Sequence, residues 1–230
     1  MDGAAVAVKE EKLEVEVKRV ENLTEEQILK VTDMLVKAFA GDPFGAILVG
    51  GNTSLSPIQL RATVAAANIG GTIHVATLPS SEAGEEDKIV GVAVWFAPGQ
   101  SLNSTVEQRS AGWDAFMDVV DDETRRWWLE YFIPLMSITT TTVFGEGVVL
   151  RAWDLHLIGV LPEYQGRGAA GALMAYASTL AKETGAPMVL ETQKEENVTI
   201  YSKLGFKVQG ETLVESRVGK SRFWLLGKGF

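Results

Sequence analysis

At 230 residues the chain can bury a full core without covalent staples. It has no cysteine and only two histidines, His74 and His156, which excludes a disulfide framework, a thiolate metal site and a cysteine nucleophile and argues against a multi-histidine metal centre. A formal charge of −9 without a Lys/Arg cluster speaks against a nucleic-acid surface, and no stretch approaches the ~20 apolar residues of a membrane span.

In chain order, residues 1–12 read as a flexible leader with no secretory signal, so a cytoplasmic or nucleocytoplasmic protein is expected. LEVEVKRV, residues 13–20, alternates apolar and charged as a half-exposed strand does. Thr24 and Gln27 have capping-box spacing, and Ile28, Val31, Leu35 and Phe39 follow at helical spacing until Gly41-Asp42-Pro43. A second helix is predicted from Pro57 to Ile69, stopped by Gly70-Gly71. Two strands follow, 72–78 and 89–96, joined by the polar linker SSEAGEED as a hairpin. His74 lies on the first of them and reads as structural.

Residues 101–147 break this rhythm. They read as helical in two pieces, 104–120 and 122–140, rich in aromatic residues that include Trp113, Phe116, Trp127, Trp128, Tyr131 and Phe132. The last third reads as βαβαββ: strand 149–160, helix 168–184, strand 187–192, helix 196–204, strands 206–214 and 221–227. The expected fold class is α/β (α+β), one domain over 1–230: a central mixed twisted sheet flanked by helices, with a helical insertion at 101–147 before the core region 148–225.

The segment with most chemical content is Gln165-Gly166-Arg167-Gly168-Ala169-Ala170. It follows the apolar strand LHLIGV and the turn Leu161-Pro162-Glu163-Tyr164, and it opens a helix. Unpaired N–H groups at a helix start attract anions, and glycines let a bulky anion reach the backbone. A Gly-rich turn before an ordinary helix is the plainer reading. No Gly-Lys-Ser/Thr ends the segment, so it is not a Walker loop, and its glycines do not directly follow the strand, so it is not a dinucleotide fingerprint.

This pattern resembles the acyl-CoA pyrophosphate motif of the GNAT family of N-acetyltransferases, Gln/Arg-x-x-Gly-x-Gly/Ala, with Gln165, Gly168 and Ala170 at its fixed positions. LETQKEENVTIYSKLGF, residues 190–206, resembles the family's later motif N-x-x-x-Y-x-x-x-G-F, in the branch that includes puromycin acetyltransferase; Asn197, Tyr201, Gly205 and Phe206 match. The two motifs cover about 75 residues, and the N-terminal half matches only in element order. The resemblance implies the GNAT fold, acetyl-CoA as co-substrate and no metal. It implies pyrophosphate binding by Gln165, Gly166, Arg167, Gly168, Ala169 and Ala170, pantetheine pairing along Ile158, Gly159 and Val160, and further CoA contacts from Asn197 and Tyr201.

Thioester aminolysis needs a neutral amine, a stabilised oxyanion and capture of the leaving thiolate. Tyr201 is the candidate acid, four residues after Asn197 on one helical face. For the base, strand period places Asp154, His156, Ile158 and Val160 on one face. Aligned on the Gln165 motif, Asp154 falls where histone-acetylating relatives carry a glutamate and His156 where arylalkylamine-acetylating relatives carry a histidine. Glu191 is a third candidate. Each has a structural alternative, a core tyrosine, a solvated strand aspartate or a satisfied core histidine. The insertion reads as core cladding, a dimer face or an acceptor lid. In the last case some of Trp113, Trp127, Trp128, Tyr131 and Phe132, with Trp95 at the end of the preceding strand, would bind a small hydrophobic or aromatic amine. The expected activity is acetyl transfer to a small primary amine, with no nucleic-acid or membrane partner and a homodimer possible. The alternatives are a peptide or protein acceptor and an inactive acyl-CoA sensor.

Overall fold

The fold is taken from a computed structural model that describes residues 12–80, 84 and 86–230; the expected leader falls outside the described residues except for Lys12. Seven strands form one mixed sheet in the order β1-β2-β3-β4-β5-β7-β6: β1 (Glu16–Val20), β2 (Thr72–Leu78), β3 (Lys88–Phe96), β4 (Trp153–Val160), β5 (Met188–Thr192), β6 (Lys207–Glu215) and β7 (Lys220–Lys228). Only β4 and β5 run parallel; every other neighbouring pair is antiparallel.

One face of the sheet is covered by α1 (Glu25–Ala38) and α3 (Ser56–Gly70), with the short α2 (Pro43–Leu48) between them. The Thr24–Gln27 capping box starts α1, and Ile28, Val31, Met34 and Leu35 pack on Val92, Val94 and Phe96 of β3. Asp42 caps α2 through Gly45 N–H, so the predicted helix stop is also a helix start. The opposite face is covered by α9 (Ala169–Thr184) and α10 (Glu195–Lys203). There Leu173, Met174, Ala177 and Tyr201 pack with Ala93, Trp95, Trp153 and Leu155.

The insertion comprises α4 (Val106–Gln108), a π turn (Arg109–Trp113), α5 (Asp114–Val119), α6 (Asp122–Arg126), a second π turn (Trp127–Phe132) and α7 (Ile133–Phe144). It forms its own small core, in which Phe116, Met117, Val120 and Trp128 join Val49 and Ala62. The β6–β7 hairpin clamps it. Arg217 donates to Gly50 C=O at 2.9 Å and to Thr124 Oγ1 at 3.1 Å, and it pairs with Glu123 at 2.8 Å and with Asp121.

Two features of β4 differ from the expectation and build the site. First, the strand starts at Trp153, because 148–151 form a helical turn, α8 (Val148–Arg151). Among the described residues no strand pairs with that stretch: β3 ends opposite Asp154 and β5 begins opposite Trp153, so Ala152 N–H donates back to Val149 C=O and Leu150 C=O accepts from Gly99 N–H at 2.8 Å. Second, β4 bulges. Val94 pairs with Leu157 but Trp95 pairs with Leu155, so His156 is an extra residue. The bulge reverses the alternation beyond it. Asp154 and His156 lie on the α1/α3 face, whereas Ile158 packs with the α9-side core, and a Cβ on Gly159 would meet Ala38, Leu35 and Phe39. The four residues 154, 156, 158 and 160 therefore do not share one face.

Candidate active site

The parallel ladder between β4 and β5 is short. It joins Trp153, Asp154 and Leu155 to Met188, Val189 and Leu190 and then stops. His156 and Glu191 would form the next pair, so they are the first residues on either side of a split. Beyond it, Ile158, Gly159 and Val160 remain paired to β3 on one edge, while β5 has left the other. An extended chain entering the split would find that free strand edge.

The apex of the split is acidic and holds a dyad. His156 Nε2 lies 3.0 Å from Asp154 Oδ2. Asp154 is 8% exposed, and its Oδ1 is buried with no hydrogen-bond partner. A buried carboxylate oxygen left unpaired is costly, so this atom points to a group that arrives with a ligand. Phe96 meets the His156 ring edge-on at 5.0 Å and fixes its plane. Burial disfavours the charged imidazole, but the charge and hydrogen bond of Asp154, helped by Glu191, outweigh it and hold the His156 pKa above its ordinary value. Glu191 is pushed up to about 8 by burial and by the neighbouring Asp154 charge, with His156 opposing. His156 and Glu191 therefore keep their protons to higher pH than isolated groups of their kind.

The cradle lies beyond the far end of β4. Gln165 Nε2 donates to the Val160 C=O at 3.0 Å, which ties the loop to the last strand residue. Gly166 (φ 73°) and Gly168 (φ 99°) are left-handed, a conformation that side chains penalise. Gly168 is the N-cap of α9, so no side chain caps this 16-residue helix and its first turn carries no acidic residue. α1 and α2, by contrast, are capped by Thr24 and Asp42. The start of α9 thus leaves its first-turn N–H groups without a side-chain cap. Ala169 is buried, so it contributes backbone alone; Ala170 is half-buried, and the Arg167 C=O accepts from Leu13 N–H at 2.9 Å.

Tyr201 lies on the α9/α10 face of the sheet, 7% exposed against Phe206, and burial raises its pKa to about 12. Asn197, one turn earlier on α10, donates to Thr192 Oγ1 at 3.2 Å, which anchors that helix to the end of β5. The split therefore has Tyr201 and Asn197 toward one face of the sheet and Asp154, His156 and Glu191 toward the other.

Of the aromatic residues expected to bind an acceptor, Phe132 meets Phe44 and Phe223 at 5.9 and 6.1 Å, and Trp127 and Trp128 pack on Phe132 at 4.9 and 5.1 Å, whereas Trp95 lies elsewhere. Trp95 is fully buried against Trp153 in the α9-side core, because it alternates with Phe96, whose register partner is Asp154. Trp128 is buried and donates to Leu48 C=O at 2.8 Å. The Trp127 indole donates to Glu215 C=O at 2.7 Å, and the Tyr131 hydroxyl accepts from Glu215 N–H at 3.0 Å. These polar tips join the insertion to α2 and the β6–β7 hairpin. The aromatic residues on the α1/α3 side of the split include Phe39, Phe96, Phe223, Phe44 and Phe132. Phe223 could be placed from the alternation of β7 once its pairing with β5 is known; Phe44 gives no signal in sequence. His74 is fully buried against Tyr176, and both ring nitrogens lack partners.

Comparison with known proteins places similarity over the same part of the chain. Residues 137–208 match the family model described as acetyltransferase (GNAT) domain, a span that holds the dyad, the cradle and Tyr201. An uncharacterized N-acetyltransferase of Schizosaccharomyces pombe is 26% identical over 125 residues, 54% of this chain and 50% of the relative, so the chain spans about half the length of that relative. Among solved structures, a protein titled histone acetyltransferase HPA2 and related acetyltransferase, from Corynebacterium glutamicum, aligns with TM-score 0.57 at 21% identity, covering 94% of this chain and 96% of its own. The mosquito arylalkylamine N-acetyltransferase like 5b aligns with TM-score 0.60 at 16% identity, covering 93% and 99%. The chain has the GNAT fold and carries a GNAT acetyltransferase domain match over its core. Among the described residues no helix is long and apolar enough to cross a membrane.

Proposed function

We propose that this protein is an N-acetyltransferase that moves an acetyl group from acetyl-CoA directly to a primary amine of a small molecule. The observation that carries the reading is the split between β4 and β5 with the Asp154–His156 dyad at its apex and an uncapped helix start at the far end of the same strand. The diphosphate of the donor would rest on the N–H groups of 166–170, with Gln165 holding the loop to Val160. Its pantetheine arm would run along Ile158–Val160 and bring the thioester to the bulge. The domain match over 137–208 supports this donor.

The roles follow from the two faces. The amine approaches from the α1/α3 face and gives its proton to His156, whose imidazolium Asp154 stabilises. The new bond forms between nitrogen and the acetyl carbon, the carbon–sulfur bond breaks, and the electron pair leaves on sulfur. Tyr201 faces that sulfur from the other side. A phenol at about 12 stays protonated at any working pH, so it is always available as a donor. It is also a weak acid beside a thiol, whose ordinary range is near 8.5, so its main part is a hydrogen bond to the departing sulfur. The Asn197–Tyr201 spacing, similar to that of puromycin-acetylating relatives, supports a small acceptor over a peptide.

The test is a screen of primary amines with acetyl-CoA, reading free thiol release and confirming the N-acetyl product by mass. Amine-dependent thiol release is expected. Tight CoA binding with no turnover of any small amine or peptide would replace this reading by a sensor. Turnover of peptides alone would move the acceptor to the protein class.

A further inference from the structure

The α1/α3 side of the split carries a feature that the transfer chemistry does not use. Three phenylalanines from distant segments meet there: Phe44 on α2, Phe132 at the end of the second π turn and Phe223 on β7. Ring centroids are 4.7 Å apart for Phe44–Phe223, 5.9 Å for Phe44–Phe132 and 6.1 Å for Phe132–Phe223. Register fixes where Phe223 stands. Leu225 is the β7 partner of Glu191, and alternate residues share a face, so Phe223 is on the face of Glu191, one two-residue step toward the open end of the split. That step is about 7 Å. Phe223 is buried, while Phe44 and Phe132 are only half-buried.

The charges on this face are unevenly committed. Asp42, at the start of α2, pairs with Lys194 at 3.0 Å and accepts from Gly45 N–H at 2.8 Å. Asp154 has His156 on one oxygen and nothing on the other, and Glu191 lies beside them. One end of the acceptor face thus carries two carboxyl groups beside an imidazole, and the other end is a wall of rings.

We infer that Phe44, Phe132 and Phe223 determine acceptor specificity, and that the acceptor is a monoamine whose amino group is joined by a short spacer to an apolar or aromatic group. The inference rests on the acetyltransferase reading. A spacer of this kind spans the step from the dyad to the rings. The second ammonium of a diamine would lose its hydration among the rings without a carboxylate to replace it. Phe44 and Phe223 meet edge to face at 81°, so the edge of one ring covers part of the other's π surface that would otherwise attract a cation. A peptide backbone would leave polar groups unpaired against the same wall.

The experiment compares kcat/KM for 2-phenylethylamine, 1,4-diaminobutane and a lysine-containing tripeptide in wild type and in Phe44→Leu, with CoA affinity by calorimetry as a check of the fold. Wild type is expected to favour 2-phenylethylamine by at least about tenfold. Phe44→Leu is expected to shrink that ratio through the KM of the amine while CoA affinity stays. If Phe44→Leu loses CoA affinity, Phe132→Leu serves in its place. Preference for the diamine or the peptide, or a ratio unchanged in the variant, overturns the inference and leaves the acetyltransferase reading standing. Acetylation of none of the three acceptors, with no other amine turned over, removes both.

Discussion

The cradle makes a demand that one substitution can separate from fold stability. Gly171 is the third residue of α9, with ordinary backbone dihedrals, and a Cβ built on it meets nothing within 4 Å. A glutamate at this position reaches back toward the N-cap amide, as in a capping box. Gly171→Glu therefore supplies the missing cap and fills the anion position with the protein's own carboxylate. Replacing a helical glycine by a good helix former gains roughly 0.5–1 kcal/mol, and an acidic group in an uncapped first turn adds about 0.3–1 kcal/mol. Together these should raise Tm by about 2–6 °C for a domain of this size. For a bound diphosphate the sign reverses. Unit charges about 5 Å apart repel by about 3 kcal/mol at an effective dielectric of ~20. Halving that for solvent at the exposed rim still leaves more than about tenfold in affinity. Differential scanning fluorimetry and calorimetric CoA titration read the two effects separately, with Gly171→Gln as the uncharged control. A variant with raised Tm and CoA affinity within about twofold of wild type would refute the placement of the phosphates at the start of α9.

For the base, the raised pKa of His156 puts the acidic limb of the pH–rate profile above the ordinary 6.5, since activity is lost as pH falls through the histidine's pKa. Asp154→Asn should move that limb down, because burial then acts with less opposition, and His156→Ala should remove it and lower kcat by about 10²-fold or more; an unmoved limb in both variants sinks the dyad. Tyr201→Phe should retain acetyl-CoA binding, lower kcat by about 10²-fold and leave the profile without a tyrosine limb below pH 11; wild-type turnover would make Tyr201 a packing residue. His74, buried without partners, has its pKa lowered to about 4 by burial first and by Arg19 second. Above pH 6.5 it is neutral folded or unfolded; as pH falls from 6.5 to 4 the unfolded chain takes a proton that the fold refuses, costing up to about 3 kcal/mol, so His74→Phe should flatten the loss of denaturant stability between pH 7 and 4.5.

What was legible in the sequence was local. The Thr24–Gln27 box, the β2–β3 hairpin and the glycine cradle are each written within a few residues, and the structure forms each of them from those residues. What was not legible depends on partners remote in sequence. Nothing in Trp153–Val160 says that His156 is an extra residue; the register of β3 decides it, and with it the faces of Ile158 and Val160. The helical turn at 148–151 depends on where β3 ends and β5 begins. Trp95 reads as an acceptor contact because it stands at the end of the strand before the insertion, yet strict alternation along β3 sends it to the opposite core from Phe96. Phe132 stands among the insertion aromatics expected at the acceptor, but Phe44 and Phe223 lie roughly 90 residues to either side of it, so no sequence window joins the three.

The bulge and the split act together. With His156 inserted, β4 turns its last residues so that Ile158 faces α9 while Leu157 faces α1, and the ladder to β5 ends at the pair just before the bulge. The opening that results runs through the sheet and joins its two faces at one point. On the α9/α10 side stand Tyr201 and the helix that Asn197 anchors; on the α1/α3 side stand the dyad, Glu191 and the phenylalanines. A donor laid along β4 can then present its carbonyl to one face and its sulfur to the other. In the proposed reaction the amine and the leaving thiolate would not compete for the same groups, so a base that takes a proton and a phenol held protonated would serve it from opposite sides of a single sheet.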